Sequence, residues 1–517
     1  MSSIRKLGLG AALSTALAGT IAVLSTACFD SRDDCALNPI LRCGPWVGTG
    51  GSGGSTSTST GGGSPDGCDP SKTSHPVADG CGVFVSPLGD DMGKGTKDKP
   101  LKTLTAALAR SATIYACAWA APYTEAVTFD KGVTLYGALD CVHGWAYDAK
   151  KKTVLTAKAD AIPLTLTSAA SGAEVVDFKI IAADAMVSGG SSIAVVADHA
   201  MVTLTRCDLL AGAAKDGDAG VSGGMPAMQA APGLKGDGAG TMGSSLGGIG
   251  GNNATCNLNG GNGGNGGPAP NGNGVDGNAG DSNLGGAKGA GDIGMGCTDA
   301  TKGANGMPGT AGLVKAGIGT IDKSGYHGVD GQAGMDGTNA TSGGGGGGSK
   351  AVAPEHGAGG GGGGAGGCGG KLGTGGKAAG SSVALVSTSA SVTLANCILG
   401  AGKAGNGGSG GDGQGGQPGG KAGDGGASGV SAKSACNGGK GGDGGNGGNG
   451  SGGLGGHSLG IATMGTPPLL DAATKTAITP GTKGAGGLGG NMDADMNHGA
   501  DGTAAGCWDF GTKVACK

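Results

Sequence analysis

Two stretches of this sequence share one strand pattern. Residues 381–410 read SSVALVSTSASVTLANCILGAGKAGNGGSG, and residues 191–220 read SSIAVVADHAMVTLTRCDLLAGAAKDGDAG. They align without a gap, half of the positions are identical, and each leads into a glycine-rich tract. In each stretch the apolar residues stand two positions apart, except in the middle, where two residues instead of one separate them. In a straight strand, this extra residue would turn the second half of the strand to the opposite face. We therefore predict a two-residue corner that keeps every apolar position on one core, namely Val202, Leu204, Cys207 and Leu209, and Val392, Leu394, Cys397 and Leu399.

A third stretch, GAEVVDFKI, carries the same spacing at Ala173, Val175, Phe178 and Ile180. Units that repeat in this way bury a continuous core by stacking on one another. The pattern predicts an all-β fold, a right-handed parallel β-helix or solenoid, with Val392 and Leu394 next to Val202 and Leu204. A β-sandwich would require hairpin turns between short strands, and few such signals flank these units.

The glycine-rich tracts, residues 211–380 and 403–457, are interpreted as insertions between strands. The chain has 127 glycines in 517 residues, and Tyr326 is the single aromatic residue between Phe178 and Trp508. Such a middle cannot build an ordinary apolar core. Two alternatives stay open, disordered loops or a polyglycine bundle of polyproline-II-like segments with three residues per turn. An ordered bundle would be stapled by cysteines at positions 256, 297, 368 and 436.

The N-terminus is interpreted as an export signal. Arg5 and Lys6 precede an apolar run that ends in LSTAC at Cys28. A basic start followed by a short apolar segment is typical of a secretory signal peptide. Small residues before Cys28 resemble a bacterial lipobox, which predicts lipidation of this cysteine. The alternative is ordinary secretion without a lipid.

Composition divides the chain into eight parts. We predict a signal peptide (1–28), a small Cys-bearing segment (29–46), a Gly/Ser/Thr linker (47–66), the N-terminal part of the β-helix (67–210), a glycine-rich insertion (211–380), one β-helix coil (381–402), a second insertion (403–457) and a terminal coil with the C-terminal segment (458–517).

Regular secondary structure is expected from about Cys81 onward. A short strand at VFV precedes an amphipathic helix that Pro100 opens, with Leu101, Leu104 and Leu108 on one face. Alternating strands follow in ATIYACA, EAVTFDKGVTLYG and KTVLTAK. The aromatic side chains of this region are expected to pack against the first strands: Trp119, Tyr123, Tyr136 and Trp145.

This entry segment resembles a known family. The stretch GDDMGKGTKDKPLKTLTAAL (89–108) is similar to the start of secreted, pectate-lyase-like right-handed β-helix proteins, and YTEAVTFDKGVTLYGALD resembles their first coils. The resemblance implies an N-terminal helical cap and an inward asparagine ladder at the corners. Asn396 matches that ladder, but Asp177 and Arg206 do not. The glycine tracts resemble those of PGRS-type surface proteins.

Cysteine usage supports export. Fifteen cysteines leave fourteen once Cys28 is lipidated, an even number that predicts disulfides in an oxidising compartment. Cys35 with Cys43 and Cys68 with Cys81 would close short loops, although connectivity cannot be read from sequence. No paired zinc-binding cysteines occur and the seven histidines are scattered, so no cofactor is expected.

Candidate sites are sparse. GGSGGD and GGKGGD match the start of a calcium-binding nonapeptide, which makes Asp412 and Asp443 weak metal candidates. The carboxylates near the corners, Asp177 and Asp208, are expected to be solvated or locally paired rather than catalytic. A formal charge of −4 without a basic patch speaks against nucleic-acid binding.

The sequence therefore predicts a non-enzymatic cell-surface lipoprotein, structural or adhesive, with no catalytic residue. It would be exported and held by its lipid in the bacterial outer membrane or at the cell surface, and would contact envelope components, extracellular polysaccharide or other surface proteins. The first alternative is a polysaccharide lyase or glycosidase, which would need carboxylates that converge on one face. The second is a calcium-dependent surface adhesin.

Overall fold

Alternating apolar residues place most strands of this protein around one hydrophobic core. The computed structural model describes residues 65–118, 121–314, 317–492 and 497–516. The predicted signal peptide with Cys28, the Cys35–Cys43 loop, the linker up to residue 64 and Trp119 lie outside the described residues.

The strands up to the first glycine tract are short. They are β1 (Val83–Val85), β2 (Thr113–Cys117), β3 (Tyr123–Thr124), β4 (Val127–Phe129), β5 (Thr134–Asp140), β6 (Ala146–Tyr147), β7 (Thr153–Thr156), β8 (Leu164–Leu166), β9 (Ala173–Val176), β10 (Phe178–Ile181), β11 (Ser192–Asp198), β12 (Met201–Thr205) and β13 (Asp208–Leu210). Helix α1 (Leu104–Arg110) lies between β1 and β2.

The remaining strands are interspersed with glycine-rich sequence. They are β14 (Asn252–Asn253), β15 (Leu258–Asn259), β16 (Thr320–Asp322), β17 (Gly325–His327), β18 (Ser382–Thr388), β19 (Ser391–Ala395), β20 (Ile398–Gly400), β21 (Ser458–Met464), β22 (Leu469–Leu470), β23 (Ile478–Thr479), β24 (Ala504–Asp509) and β25 (Val514–Ala515). Helix α2 (Ala472–Thr476) follows β22.

These strands form three large sheets and two small hairpins. The first sheet has the order β1-β2-β5-β9-β12-β19-β22 with β6 beside β5, the second β3-β7-β10-β13-β20-β23, and the third β4-β8-β11-β18-β21-β24-β25. Within these three sheets, neighbouring strands are parallel except for the antiparallel pairs β5-β6 and β24-β25. The two hairpins are β14-β15 and β16-β17.

The predicted fold class, a single right-handed β-helix, is wrong. The described residues form several stacked, mostly parallel sheets and show no closed solenoid. The physical reason is that the repeated apolar spacing fixes only which side chains face the core. A bend between two short strands serves stacked sheets as well as a closed coil, so the spacing alone cannot decide how the sheets join.

The predicted pairing of the two repeated stretches is confirmed. Strand β12 pairs with β19 in parallel, with Val202 opposite Val392 and Leu204 opposite Leu394. The apolar positions of all three units are buried in one cluster. The corner between the strands is also present, because its second residue has positive φ in each unit, at Asp177, Arg206 and Asn396. The left-handed conformation makes the turn that keeps both halves on one face.

Helix α1 starts later than the sequence predicts. Thr103 is the N-cap, because its side chain accepts a hydrogen bond from the Ala106 N–H, and Leu101 lies before the helix although it is buried. The preference of threonine for the N-cap decides this start. Leu104 and Leu108 face the core, so the amphipathic prediction is confirmed for the helix itself. Tyr123 and Trp145 are buried as predicted.

The third sheet is buried on both faces along its central strands, β11, β18 and β21. Its inner face joins the main core, and its outer face is covered by the β16-β17 hairpin from the first glycine tract. Tyr326 of this hairpin packs edge-on against His457, at 5.2 Å between ring centroids. His457 is fully buried, its Nε2 donates to the Ile318 carbonyl (2.7 Å), and its Nδ1 accepts from the Thr503 N–H (2.9 Å).

The glycine tracts form a hydrogen-bonded bundle that continues the sheets. The segment that follows β13 lies beside the segment that follows β20. The N–H groups of Gly217, Gly220 and Gly223 in the first segment donate to the carbonyls of residues 406, 409 and 412 in the second. The donors recur every third residue, as in a segment with three residues per turn. The segment 358–380 accepts and donates in the same way to several neighbours. These hydrogen bonds agree with the ordered alternative for the tracts and not with disordered loops.

The interior of this glycine bundle consists of backbone. A Cβ added at Gly360 would lie 2.1 Å from the Gly346 carbonyl oxygen. At Gly361 the obstacle is the carbonyl oxygen of residue 423, and at Gly362 that of residue 249. Three consecutive glycines therefore contact three different segments. With three residues per turn, every third residue lies on the same face of the segment, so three consecutive residues cover all three faces. A run of glycines without any other residue therefore marks a segment that has neighbours on every face.

A ladder of serine hydroxyl groups joins the sheets to the glycine bundle. Ser192 Oγ accepts from the Gly212 N–H (2.9 Å), and Ser382 Oγ donates to the Gly212 carbonyl (2.7 Å). Ser382 in turn accepts from Gly402 N–H, and Ser458 donates to the Gly402 carbonyl. All three serines are buried, so the ladder satisfies backbone groups that water cannot reach.

Five disulfides occur among the described residues. Cys68–Cys81 confirms one predicted loop, and Cys256–Cys368 and Cys297–Cys436 confirm that these four cysteines staple the glycine bundle. The other two bonds are Cys117–Cys141 and Cys507–Cys516. The even count of fourteen cysteines does not extend to complete pairing, because Cys207 and Cys397 are free thiols in the core. Both occupy inward strand positions, where cysteine packs as a small apolar side chain.

Candidate functional site

The weak metal candidates serve the backbone of the glycine bundle. Asp443 accepts a hydrogen bond from the Gly419 N–H at 2.8 Å, and Asn446 and Asn449 accept from residues 416 and 413 in the same manner. Asp443 is thus one step of a ladder of side-chain acceptors. The hydrogen bond from the Gly419 N–H and the nearby Lys440 lower the pKa of its carboxyl group. Asp412 accepts from the Asn491 N–H. Within the described residues, no three His, Cys, Asp or Glu side chains form a group that could hold a metal.

The carboxylates near the corners are locally paired, as predicted. Asp177 accepts two hydrogen bonds from the Arg206 guanidinium, at 2.8 Å each, and a third from the Tyr147 hydroxyl at 2.8 Å. The Asp177 carboxylate raises the pKa of Arg206. Asp208 forms an ion pair with Lys152. Every oxygen of Asp177 is therefore occupied, which leaves the carboxylate in a structural role.

A more distinctive feature lies where the glycine segments turn, at the end of the bundle away from the sheets. We call five turns there the distal loops: residues 238–244, 268–273, 293–297, 350–356 and 428–434. Each connects two segments of the bundle. Loops on a rigid scaffold are a common place for recognition surfaces.

Backbone hydrogen bonds join the distal loops around the loop 350–356. The His356 N–H donates to the Gly240 carbonyl (2.8 Å), and His356 Nδ1 accepts from the Ala269 N–H (3.2 Å). The Ala351 N–H donates to the Gly272 carbonyl (2.9 Å). These contacts hold three of the loops together as one surface.

The fourth and fifth loops are held by buried carboxylates. Glu355 accepts from the N–H groups of Val430, Ser431 and Ala432 at 2.8–2.9 Å, and these donors lower the pKa of its carboxyl group. Asp292 accepts from the N–H groups of residues 294 and 296. Both side chains are buried and point into the loops. They stabilise the loop backbones and are not available to a ligand.

The distal loops expose apolar side chains instead. Met242 is 94% exposed, Met295 89% and Val430 98%, and Ile293 and Val352 are also exposed. Two cations, Lys350 and Lys433, lie in the same loops and form no ion pair within the described part of the chain. The buried acids of this surface, Glu355 and Asp292, already accept hydrogen bonds from backbone N–H groups. A surface of exposed apolar side chains of this kind suits contact with a partner better than bond-breaking chemistry.

Sequence reasoning missed these loops. Their apolar residues stand singly among glycines and produce no periodic signal. A usable signal was present nevertheless, because the glycine period breaks at GTMGSS, GDIGMGC, AVAPEH and SGVSAK, where an apolar residue marks each turn.

Comparison with known proteins gives little. No family model matches the chain, and no curated protein matches it. Among solved structures, a rhamnogalacturonan lyase is similar at 13% sequence identity, over 25% of this chain and 35% of that protein, with a TM-score of 0.12. The match thus spans about a third of the lyase. A likeness of this size establishes neither a shared fold nor a shared activity.

Proposed function

We propose that this protein is a non-enzymatic surface protein, structural or adhesive, which presents the distal loops to a macromolecular partner. One observation carries the proposal. Four loops that are linked by hydrogen bonds, and the loop 293–297, which the Cys297–Cys436 disulfide ties to the segment after residue 434, expose apolar side chains at one end of an ordered bundle. Ordering such a bundle costs much backbone entropy, since glycine loses more freedom on folding than any other residue. A recognition surface on a rigid support gives this arrangement a use.

The chemistry of the loops favours a protein surface as the partner. The loops contain no aromatic residue, and the distal carboxylates are occupied by backbone N–H groups. Methionine side chains adapt to the shape of apolar protein surfaces. Sugar recognition would use aromatic platforms, which these loops lack.

Export and a lipid anchor at Cys28 are part of the proposal. Five disulfides within the described residues are typical of an oxidising compartment, and the N-terminal sequence has the pattern of a signal peptide. In the described ranges, no helix has the length and apolar character needed to cross a membrane. The proposed attachment is through the lipid of the acylated Cys28, whose hydrocarbon chains would insert into the membrane. Palmitate labelling of the wild type, absent from Cys28→Ala, tests it, and retained label contradicts the anchor.

The proposed recognition is tested by measuring how the protein binds to the envelope fraction of the cells that produce it. The test variant combines Met242→Ser, Met295→Ser and Val430→Ser. We expect at least a tenfold loss of affinity, because each change removes exposed apolar area from the contact. The melting temperature should be unchanged, since all three side chains are exposed.

A matched control carries Leu88→Ser, Met92→Ser and Met186→Ser, which remove exposed apolar side chains of similar size from the sheet region. This control should bind as the wild type does. Equal binding by both triple variants would contradict the role of the distal loops. Release of oligosaccharides from an envelope polysaccharide would favour the enzymatic alternative, and binding that requires calcium would favour the adhesin alternative.

A further inference from the structure

The two ends of the stacked sheets are covered differently. At the edge that holds β1 and β4, helix α1 packs Leu104 and Leu108 onto the core. At the opposite edge, only two-residue strands and the five-residue helix α2 follow β19 and β20. A cavity of about 700 Å³ opens there between β22, α2 and the β24-β25 hairpin.

This cavity reaches the main hydrophobic core. Leu394 and Ile461, both fully buried, line it together with the partly buried Leu470. The other walls are Pro467 and Pro468 and the Cys507–Cys516 disulfide. Apolar pockets with a few polar groups at the mouth, in the range of about 300–1,000 Å³, are typical of small-molecule sites.

Two charged side chains, Asp471 and Lys475, border the cavity, and only Lys475 is free to pair with a ligand. Asp471 is the N-cap of α2: its Oδ1 accepts from the Thr474 N–H (2.8 Å) and its Oδ2 from the Asn396 N–H (2.9 Å). Those hydrogen bonds, Thr474 foremost, lower the pKa of its carboxyl group. Lys475 is exposed and forms no ion pair within the described residues. The cavity therefore combines an apolar interior with an unpaired cation.

We propose that this cavity binds a single long-chain carboxylate. The hydrocarbon chain lies against Leu394, Ile461 and Leu470, where it removes apolar surface from water. The carboxylate accepts a charge-assisted hydrogen bond from the Lys475 ammonium group. This site contains no residue of the distal loops and does not depend on the function proposed for them.

Titration of the exported chain with cis-parinaric acid, a fluorescent long-chain carboxylate, tests the site. We expect saturable binding of one molecule per chain. Leu469→Trp should abolish it, because the larger side chain fills the mouth of the cavity. Lys475→Gln should weaken it about tenfold, as expected for the loss of one charge-assisted hydrogen bond. Lys403→Gln, a substitution of an exposed lysine in the glycine bundle, is the matched control and should bind as the wild type does.

The methyl ester of the same acid separates the head group from the chain. It should bind the wild type and Lys475→Gln equally, since it has no charge to pair. An equal loss of ester and acid binding in Lys475→Gln would overturn the assignment of the carboxylate to this lysine. Absence of saturable binding would overturn the site. So would light scattering that shows a dimer which Leu469→Trp dissociates, because the cavity would then be covered by a second copy.

Discussion

The sheets and the glycine bundle of this protein exclude water by different means. The core of the sheets is built from large side chains such as Phe84, Phe129 and Phe178. In the bundle, the runs 343–348 and 359–364 are equally buried but have no side chains at all. Hydrogen bonds between backbones and close contacts between Cα atoms and carbonyl oxygens fill the space instead.

The difference shows that burial does not require apolar side chains. The apolar core gains free energy from each side chain that leaves water. The glycine bundle gains less from this source and loses more backbone entropy. Its stability must come from a complete set of hydrogen bonds, from dense packing and from long-range covalent links. Each prediction below separates these contributions.

The largest effect should follow from removal of both bundle disulfides, with all four cysteines changed to serine. Cys256–Cys368 and Cys297–Cys436 close loops with sequence separations of 112 and 139 residues. Loops of this length predict a loss of about 5 kcal/mol for each bond. Hydrogen exchange should then show rapid exchange in the bundle while the amides of β11 and β18 stay protected.

The control for this change removes Cys68–Cys81, which has a sequence separation of 13 residues, with an expected loss of about 3 kcal/mol. It should leave exchange in the glycine bundle unaltered. If bundle and sheets lose protection together in the fourfold variant, the two regions unfold as one unit and the proposed division is wrong.

A smaller effect is expected for Gly363→Ala. Its Cβ would lie 2.1 Å from the Gly343 carbonyl oxygen, and this obstacle is backbone that cannot rotate away. Overpacking of a dense interior predicts a loss of about 3 kcal/mol in the free energy of unfolding, although the substitution adds apolar surface. Urea denaturation measures it.

Gly238→Ala is the matched control in the same tract. Its Cβ would have the carbonyl oxygen of residue 427 as nearest atom, at 3.6 Å, which is an ordinary contact. The free energy of unfolding should change by less than about 1 kcal/mol, since the unfolded chain loses some freedom and nothing clashes. Similar losses for both substitutions would show that close packing does not stabilise the bundle.

The smallest effect concerns pH, at the junction of the two regions. Burial lowers the pKa of His457, whose ring is held neutral between the Thr503 N–H and the Ile318 carbonyl. The folded state therefore binds fewer protons than the unfolded state below the ordinary pKa of about 6.5. This contribution to stability is complete above that pH and is lost progressively as the pH falls below it, through the lowered pKa of the folded state.

Melting temperatures between pH 7.5 and 5.5 measure this decline. His457→Gln should have a flatter profile over the same interval, because glutamine does not titrate. The carboxyl groups with lowered pKa values gain protons only below this interval, so they do not contribute to the change in melting temperature between pH 7.5 and 5.5. A profile of the variant that is as steep as that of the wild type would assign the dependence to another group.

The strand units were predictable from sequence. Alternation of apolar residues at Val202, Leu204, Cys207 and Leu209 is a local property, and it selected the buried side correctly in each unit. The same reasoning found the partner strand β19, because identical patterns pair in register. The apolar spacing did not predict how the sheets are arranged, because that arrangement depends on the direction of every bend between strands along the whole chain.

The candidate sites were less predictable. The spacing around Asp443 matched a calcium motif, but the side chain accepts from an N–H of another segment, and that segment's position is invisible in the local sequence. The distal loops are built from residues as far apart in sequence as Gly240 and Val430. Their proximity follows from the register of the glycine segments and from nothing in the loops themselves.

The sequence by itself determined the buried face of each strand, the extent of the glycine tracts and the use of the four bundle cysteines as staples, but not which of them pair. Only the tertiary structure decided that the sheets stack without closing, that Cys207 and Cys397 form no disulfide, and that the loops meet at one end of the bundle. The physical reason is the range of the interactions. Side-chain alternation acts between neighbouring residues, whereas backbone hydrogen bonds between glycine segments carry no side-chain signature and join residues as distant in sequence as Gly217 and Asn406.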